Sequence, residues 1–127
     1  MNLLFDTDVI IWLLRGNLSA QKMISEVDSP AISAITYMEL VQGILNKKEF
    51  IQLRQLIVGW DFKLFYVSQE IHMKAIGLVE ELYLSDALKI PDALIAATAL
   101  FNGLTLVTGN VKHFQKISPL QLKKFTP

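Results

Sequence analysis

A chain of 127 residues can bury one core without disulfides or a structural metal, so a single domain over 1–127 is expected. Cysteine is absent, which excludes a disulfide framework and any thiolate metal site. Twelve basic residues balance twelve acidic ones, so net charge names no nucleic-acid partner, and no apolar run approaches the roughly 20 residues that span a bilayer. No basic segment or small-residue cleavage site marks a secretion signal, and a soluble protein is expected.

In chain order, Leu3–Phe5 is a short apolar strand ending at Asp6. A helical run over Val9–Arg15 follows, flanked by Thr7 and Asp8, and Ser19–Val27 makes a second helix. Ala31–Ser33 after Pro30 reads as a strand. Thr36-Tyr37-Met38-Glu39 then has the T-x-x-E form that opens helices, here one running from Tyr37 to about Leu45. A polar break at Asn46–Glu49 leads into a helix through Phe50, Leu53, Leu56 and Ile57, giving a helical hairpin. Lys63–Val67 has the aromatic and β-branched content of a strand, and Ser68 caps a long amphipathic helix carrying Ile71, Ala75, Leu78, Val79 and Leu82. Pro91 suits the first turn of a helix that ends at Asn102, with Gly103 at its left-handed terminus. Leu104–Thr108 and Leu122–Phe125 complete the strands. Strands alternating with helices imply right-handed crossovers and a mainly parallel sheet covered on both faces: an α/β fold with its site beyond the strands' carboxyl ends.

Four residues fall at that rim: Asp6 after the first strand, Glu39 near the start of the helix after the second, Asp92 opening a helix, and Asn110 after Leu104–Thr108. Crowded carboxylates repel unless a cation sits among them, and hard ions such as magnesium or manganese take oxygen ligands of this type. Such ions lower the pKa of a bound water and neutralise charge on a phosphodiester under attack. Each residue also has a plainer role. Asp6 could end a strand, Asp8 could cap a helix, Glu39 could close a capping box on Thr36, Asp92 could favour a positive helix end, and Asn110 could serve a turn. Their joint placement argues for a site.

The stretches L-L-F-D-T-D-V-I-I-W-L-L-R-G (Leu3–Gly16), S-A-I-T-Y-M-E-L-V-Q-G (Ser33–Gly43), I-P-D-A-L-I-A-A-T-A-L (Ile90–Leu100) and L-T-L-V-T-G-N-V-K-H-F (Leu104–Phe114) resemble, in order and spacing, the motifs of PIN-domain ribonucleases, especially VapC-type toxins of toxin–antitoxin pairs. The resemblance implies a three-layer α/β/α fold and cytoplasmic, magnesium- or manganese-dependent RNA cleavage. It also implies dimerisation and inhibition by a small antitoxin protein. It assigns the core acids to Asp6, Glu39 and Asp92, with Asp8 contributing one layer further out. The pattern breaks at the fourth position, where many relatives carry Asp and this chain has Asn110; an amide oxygen can ligate but brings no charge. His113 also stands where relatives often have Asp, and with Lys112 it could touch substrate phosphate, the plainer reading being a surface histidine.

Two distributions bear on partners. No acidic residue follows Asp92, while Lys112, Lys116, Lys123 and Lys124 accumulate, leaving the C-terminal third basic. The chain is 52% apolar, high for its size, which points to a buried partner surface. The hairpin from Tyr37 to Trp60 is the expected site of it, because Tyr37, Met38, Val41, Leu45, Phe50 and Trp60 exceed what one helix face can bury. Alanine-rich Ala93–Phe101 reads instead as a core helix. Two alternatives stand beside the nuclease: an inert PIN-like domain that binds RNA or a partner, and a haloacid-dehalogenase-like phosphatase, which also opens on an apolar strand and D-x-D. Against the phosphatase stand the short chain, Val9 and Ile10 in place of small and hydroxyl residues, and Asp92 heading an alanine-rich helix.

Overall fold

The computed structural model describes residues 2–127. Its elements run β1 (Leu3–Phe5), α1 (Thr7–Leu14), α2 (Leu18–Ser25), β2 (Ala31–Ser33), α3 (Ala34–Gln42), α4 (Lys47–Gly59), β3 (Lys63–Phe65), α5 (Gln69–Asp86), α6 (Ile90–Asn102), β4 (Thr105–Thr108), α7 (Val111–Phe114) and β5 (Leu122–Lys124). The strands form one sheet in the order β3-β2-β1-β4-β5, every pair parallel. The expected mainly parallel sheet is therefore wholly parallel among the described residues.

Successive side chains on a strand point to opposite faces, and the two cores follow from that pleat. Leu4 and Leu106 pack with α5 and α6 through Ile71, Ala75, Leu78, Ile95, Ala96 and Ala99. Leu3, Phe5, Ile32 and Val107 turn the other way, onto α1–α4 through Val9, Ile10, Leu13, Ile24, Leu40 and Leu53. The result is a three-layer α/β/α sandwich, with the small residues of α6 letting that helix lie close on the sheet, as its composition suggested. The chain steps from β1 outward to β3, then returns to place β4 on the other side of β1. The order thus reverses between β1 and β4, and a crevice opens beyond their carboxyl ends.

Several boundaries differ from expectation for identifiable reasons. Asp6, not Thr7 or Asp8, caps α1: its side chain accepts from the Thr7 amide at 2.8 Å. Asn17 caps α2 by accepting from Ala20 N, and Ser33 caps α3 by accepting from Ile35 N at 3.0 Å. The third helix consequently begins ahead of Thr36, and Thr36 and Glu39 lie inside it. The reciprocal arrangement expected there sits at the start of α4, where Asn46 Oδ1 accepts from Glu49 N and Glu49 Oε1 accepts from Leu45 N. Glu39 is therefore free of capping duty. The short α7 was not expected. It is pinned by Phe114, fully buried against α6 and the sheet, a burial that contributes about 2 kcal/mol.

Candidate active site

The crevice between the ends of β1 and β4 is built around Asp6, the residue that leaves β1. Its side chain is 5% exposed, and both its oxygens are engaged: Oδ1 by the Thr7 amide and Oδ2 by the Thr108 hydroxyl at 2.8 Å. Thr108 ends β4 and is itself fully buried; its hydroxyl also accepts from the Asn110 amide at 2.9 Å. In the first turn of α1, Asp8 reaches across the crevice so that its Oδ2 accepts from Gly109 N at 2.8 Å. A Cβ at position 109 would come within 2.6 Å of that oxygen, so the residue must be glycine for the carboxylate to sit there. The other oxygen, Asp8 Oδ1, is buried without a hydrogen-bond partner among the described residues.

Glu39 enters from α3. The Thr7 hydroxyl donates to Glu39 Oε1 at 2.7 Å and lies 3.0 Å from Thr36 Oγ1. Thr7 thus ties Glu39 to Asp6, holding the first by its hydroxyl and the second by its amide. Asp92, in the first turn of α6, is 26% exposed and stands with its Oδ2 3.5 Å from His113 Nδ1 on α7. The histidine expected to be an ordinary surface residue is 60% exposed but faces this carboxylate. Asn110 lies exposed on the segment after β4, next to Gly109, and its side chain makes no cap bond to α7.

Electrostatics link three of these groups. Burial pushes the Asp6 carboxyl up from 3.8 to about 6, against the lowering effect of the Thr108 bond and with added repulsion from Asp8 and Asp92. Burial also raises Asp8, opposed by the Gly109 amide, and Asp92, opposed by His113 and Lys89. Three desolvated acids that feel one another's charge form a costly arrangement without a cation. Among the described residues no three His, Cys, Asp or Glu side chains already converge into a cage. The donors nevertheless suit a hard divalent ion in kind: all are oxygens, and Asp8 Oδ1 lacks a partner. Magnesium is commonly held by one or two carboxylates with its remaining positions on water and substrate. Thr7, Thr108 and Gly109 went unnoticed in the sequence as parts of the site, although each neighbours an acid or follows a strand end.

An open parallel sheet with buried acids at its topological switch point defines an α/β domain that works at its carboxyl edge. Residues 3–118 match the PIN domain family model, and the chain belongs to that family. It is 33% identical to a protein named Ribonuclease VapC1 from Rickettsia felis, over 96% of this chain and 95% of that one. Among solved structures it is similar to a toxin–antitoxin complex from Klebsiella pneumoniae, with 33% identity and a TM-score of 0.75 over 93% of this chain and 94% of that chain. A VapBC2 structure from Rickettsia felis bound to a promoter DNA fragment has a TM-score of 0.84 at 21% identity, covering 99% and 100% of the two chains; at that identity it speaks for the fold. The family match removes the ground for a haloacid-dehalogenase-like phosphatase.

Proposed function

We propose that this chain is a divalent-metal-dependent ribonuclease of VapC type, the toxin of a toxin–antitoxin pair, with Asp6, Glu39, Asp92 and Asn110 as its working residues. The observation that carries this reading is the set of desolvated, mutually repelling carboxylates of Asp6, Asp8 and Asp92 at the switch point. Full-length likeness to a protein named Ribonuclease VapC1 supplies the reaction class. Asp6 and Asp92 would hold the ion, magnesium or manganese, with Glu39 and the Asn110 amide oxygen completing its surroundings. That ion supplies an activated water and neutralises charge on the phosphodiester.

The remaining work belongs to the chain's own groups. Thr7 and Thr108 fix the two oxygens of Asp6, so that carboxylate meets its load without reorienting. Thr7 also restrains Glu39 in an orientation that can accept a proton from water. Gly109 anchors one oxygen of Asp8 and leaves the other available to the ion's water shell. His113 and Lys112 are exposed on α7 and would meet substrate phosphate.

The Klebsiella structure is described as a toxin–antitoxin complex, and this chain has a fitting surface for a small antitoxin. A groove of about 450 Å³ between α1 and the α3–α4 hairpin is lined by Ile11, Leu14, Leu40, Ile44 and Leu45 and ends at Glu39. An amphipathic segment seated there would lie against Glu39. Among the described residues no helix is long and apolar enough to cross a membrane, and a toxin that cleaves cellular RNA would act in the cytoplasm.

Purified protein incubated with total RNA, with magnesium or with EDTA, tests the reading. Cleavage with magnesium alone, abolished in Asp6→Asn and Asp92→Asn, is expected, and Asn110→Asp should lower the magnesium concentration required. Equal cleavage in EDTA would overturn the metal scheme. No cleavage by wild type or Asn110→Asp at high manganese would favour an inert PIN-like binding domain instead.

A further inference from the structure

The segment after β4 does more than close the crevice. Between α7 and β5 runs a groove of about 580 Å³ lined by Gly109, Asn110, Lys112, His113, Leu122 and Lys124. It begins where the acids end, because Gly109 holds Asp8 and His113 faces Asp92. The strand register fixes the rest. Leu4 pairs with Leu106 and Leu106 with Leu122, while Thr108 pairs with Lys124. Asp6, Thr108 and Lys124 therefore occupy equivalent positions on three adjacent strands and project from one face, confirmed for the first pair by their 2.8 Å hydrogen bond. Two strand spacings put the Lys124 backbone roughly 10 Å from that of Asp6. Phe125, 2% exposed, and its amide bond to Thr108 O hold the end of β5 in place, so the lysine projects from a fixed base.

The electrostatics of this groove are one-sided. No Asp or Glu occurs from residue 93 to 127. Lys112 and Lys124 are exposed, and neither pairs with a carboxylate among the described residues. Acids on one side of His113 and unpaired ammonium groups on the other suit a polyanion whose reacting phosphate sits at the acids and whose next phosphates need cations. Leu122 adds an apolar wall against which a sugar or base can lie.

We propose that the groove between α7 and β5 seats the RNA strand beside the cleavage point, with Lys124 and Lys112 each holding a neighbouring phosphate. The proposal rests on the ribonuclease reading above. It assigns Lys124, on the edge strand, a positioning role.

The test is binding of a short, fluorescent, single-stranded RNA of mixed sequence in EDTA, followed by anisotropy across a salt series. Each phosphate contact on a single strand contributes about 0.7 to the slope of log affinity against log salt, so Lys112→Gln/Lys124→Gln should lower that slope by about 1.4. Lys22→Gln, on the exposed side of α2, should leave it unchanged. With magnesium present the double variant should raise KM for RNA while kcat holds. A double variant with the wild-type slope, or one that keeps RNA affinity but loses antitoxin, overturns the groove assignment while the ribonuclease reading stands. Wild type that neither binds nor cleaves RNA takes down both.

Discussion

Asp6 carries the largest electrostatic cost in the molecule that the structure resolves, and its pH dependence follows from that cost. A carboxyl raised from 3.8 to about 6 binds its proton more tightly folded than unfolded. Metal-free protein is therefore most stable with Asp6 protonated, and it loses stability as pH rises from about 4 through about 6, by about 3 kcal/mol in all. Asp6→Asn should remove the Asp6 share of this fall, because a neutral side chain neither titrates nor repels Asp8 and Asp92, and leave only the fall due to those two buried acids. Urea denaturation in EDTA at about pH 4 and about pH 7 measures it; a fall in wild type no larger than the mutant's would contradict the burial of a charged Asp6. Divalent ion should reverse the trend, since binding requires the deprotonated form, and an Asp6→Asn variant that gains as much from the ion as wild type would exclude Asp6 as a ligand.

At the scale of elements, α5 ends on a residue poorly suited to its place. Ala87 takes a left-handed conformation, φ 54, while its amide bonds Tyr83 O at 2.8 Å; Gly103 does the same duty at the end of α6 with φ 63. A Cβ in that region costs about 1 kcal/mol, so Ala87→Gly is expected to raise stability by about that much, partly offset by a more flexible unfolded chain. Differential scanning calorimetry should show a Tm increase of a few degrees, and a decrease would mean that the Ala87 methyl contributes packing. The contrast between the two ends shows what was legible in advance. Gly103 announced its helix terminus, whereas an alanine gives no such signal. Apolar runs marked β1 and β4, the strands that flank the site, and the rim residues were placed by their positions relative to the predicted strands and helices. What could not be read was mutual orientation. Ser33, the last residue of β2, caps α3 in place of Thr36 because the helix starts directly at the strand end, which turned an apparent capping glutamate into a hydrogen-bond partner of Thr7. Helix α7 was invisible because its four residues carry no periodicity, and its existence depends on a cavity for Phe114 that only the assembled sheet provides.

Across the whole molecule, apolar exposure is broader than the helical hairpin alone. Met38, Leu45, Ile51 and Val58 are exposed on α3, α4 and their connection, but so are Met73, Ile76, Tyr83 and Leu84 on α5 and Ile90 and Phe101 on α6. The isolated 14.3 kDa chain should therefore self-associate, with light scattering giving a mass that rises above that value as concentration increases. A monomer at high micromolar concentration, with hairpin variants that still bind antitoxin, would count against partner contacts on this surface. The sheet order has one more consequence, for the chain as it is made. Strand β1 is made before its neighbour β4, and β4 and the Thr108 hydroxyl that steadies Asp6 lie 102 positions later. Domains fold as units during synthesis, and a pairing this remote must wait for its second half. A nascent or prematurely ended chain lacking β4 holds Asp6, Asp8 and Glu39 but has no crevice to set them in. A protein able to destroy RNA is thus built so that its cutting edge comes together only after β4 has been made and has paired with β1.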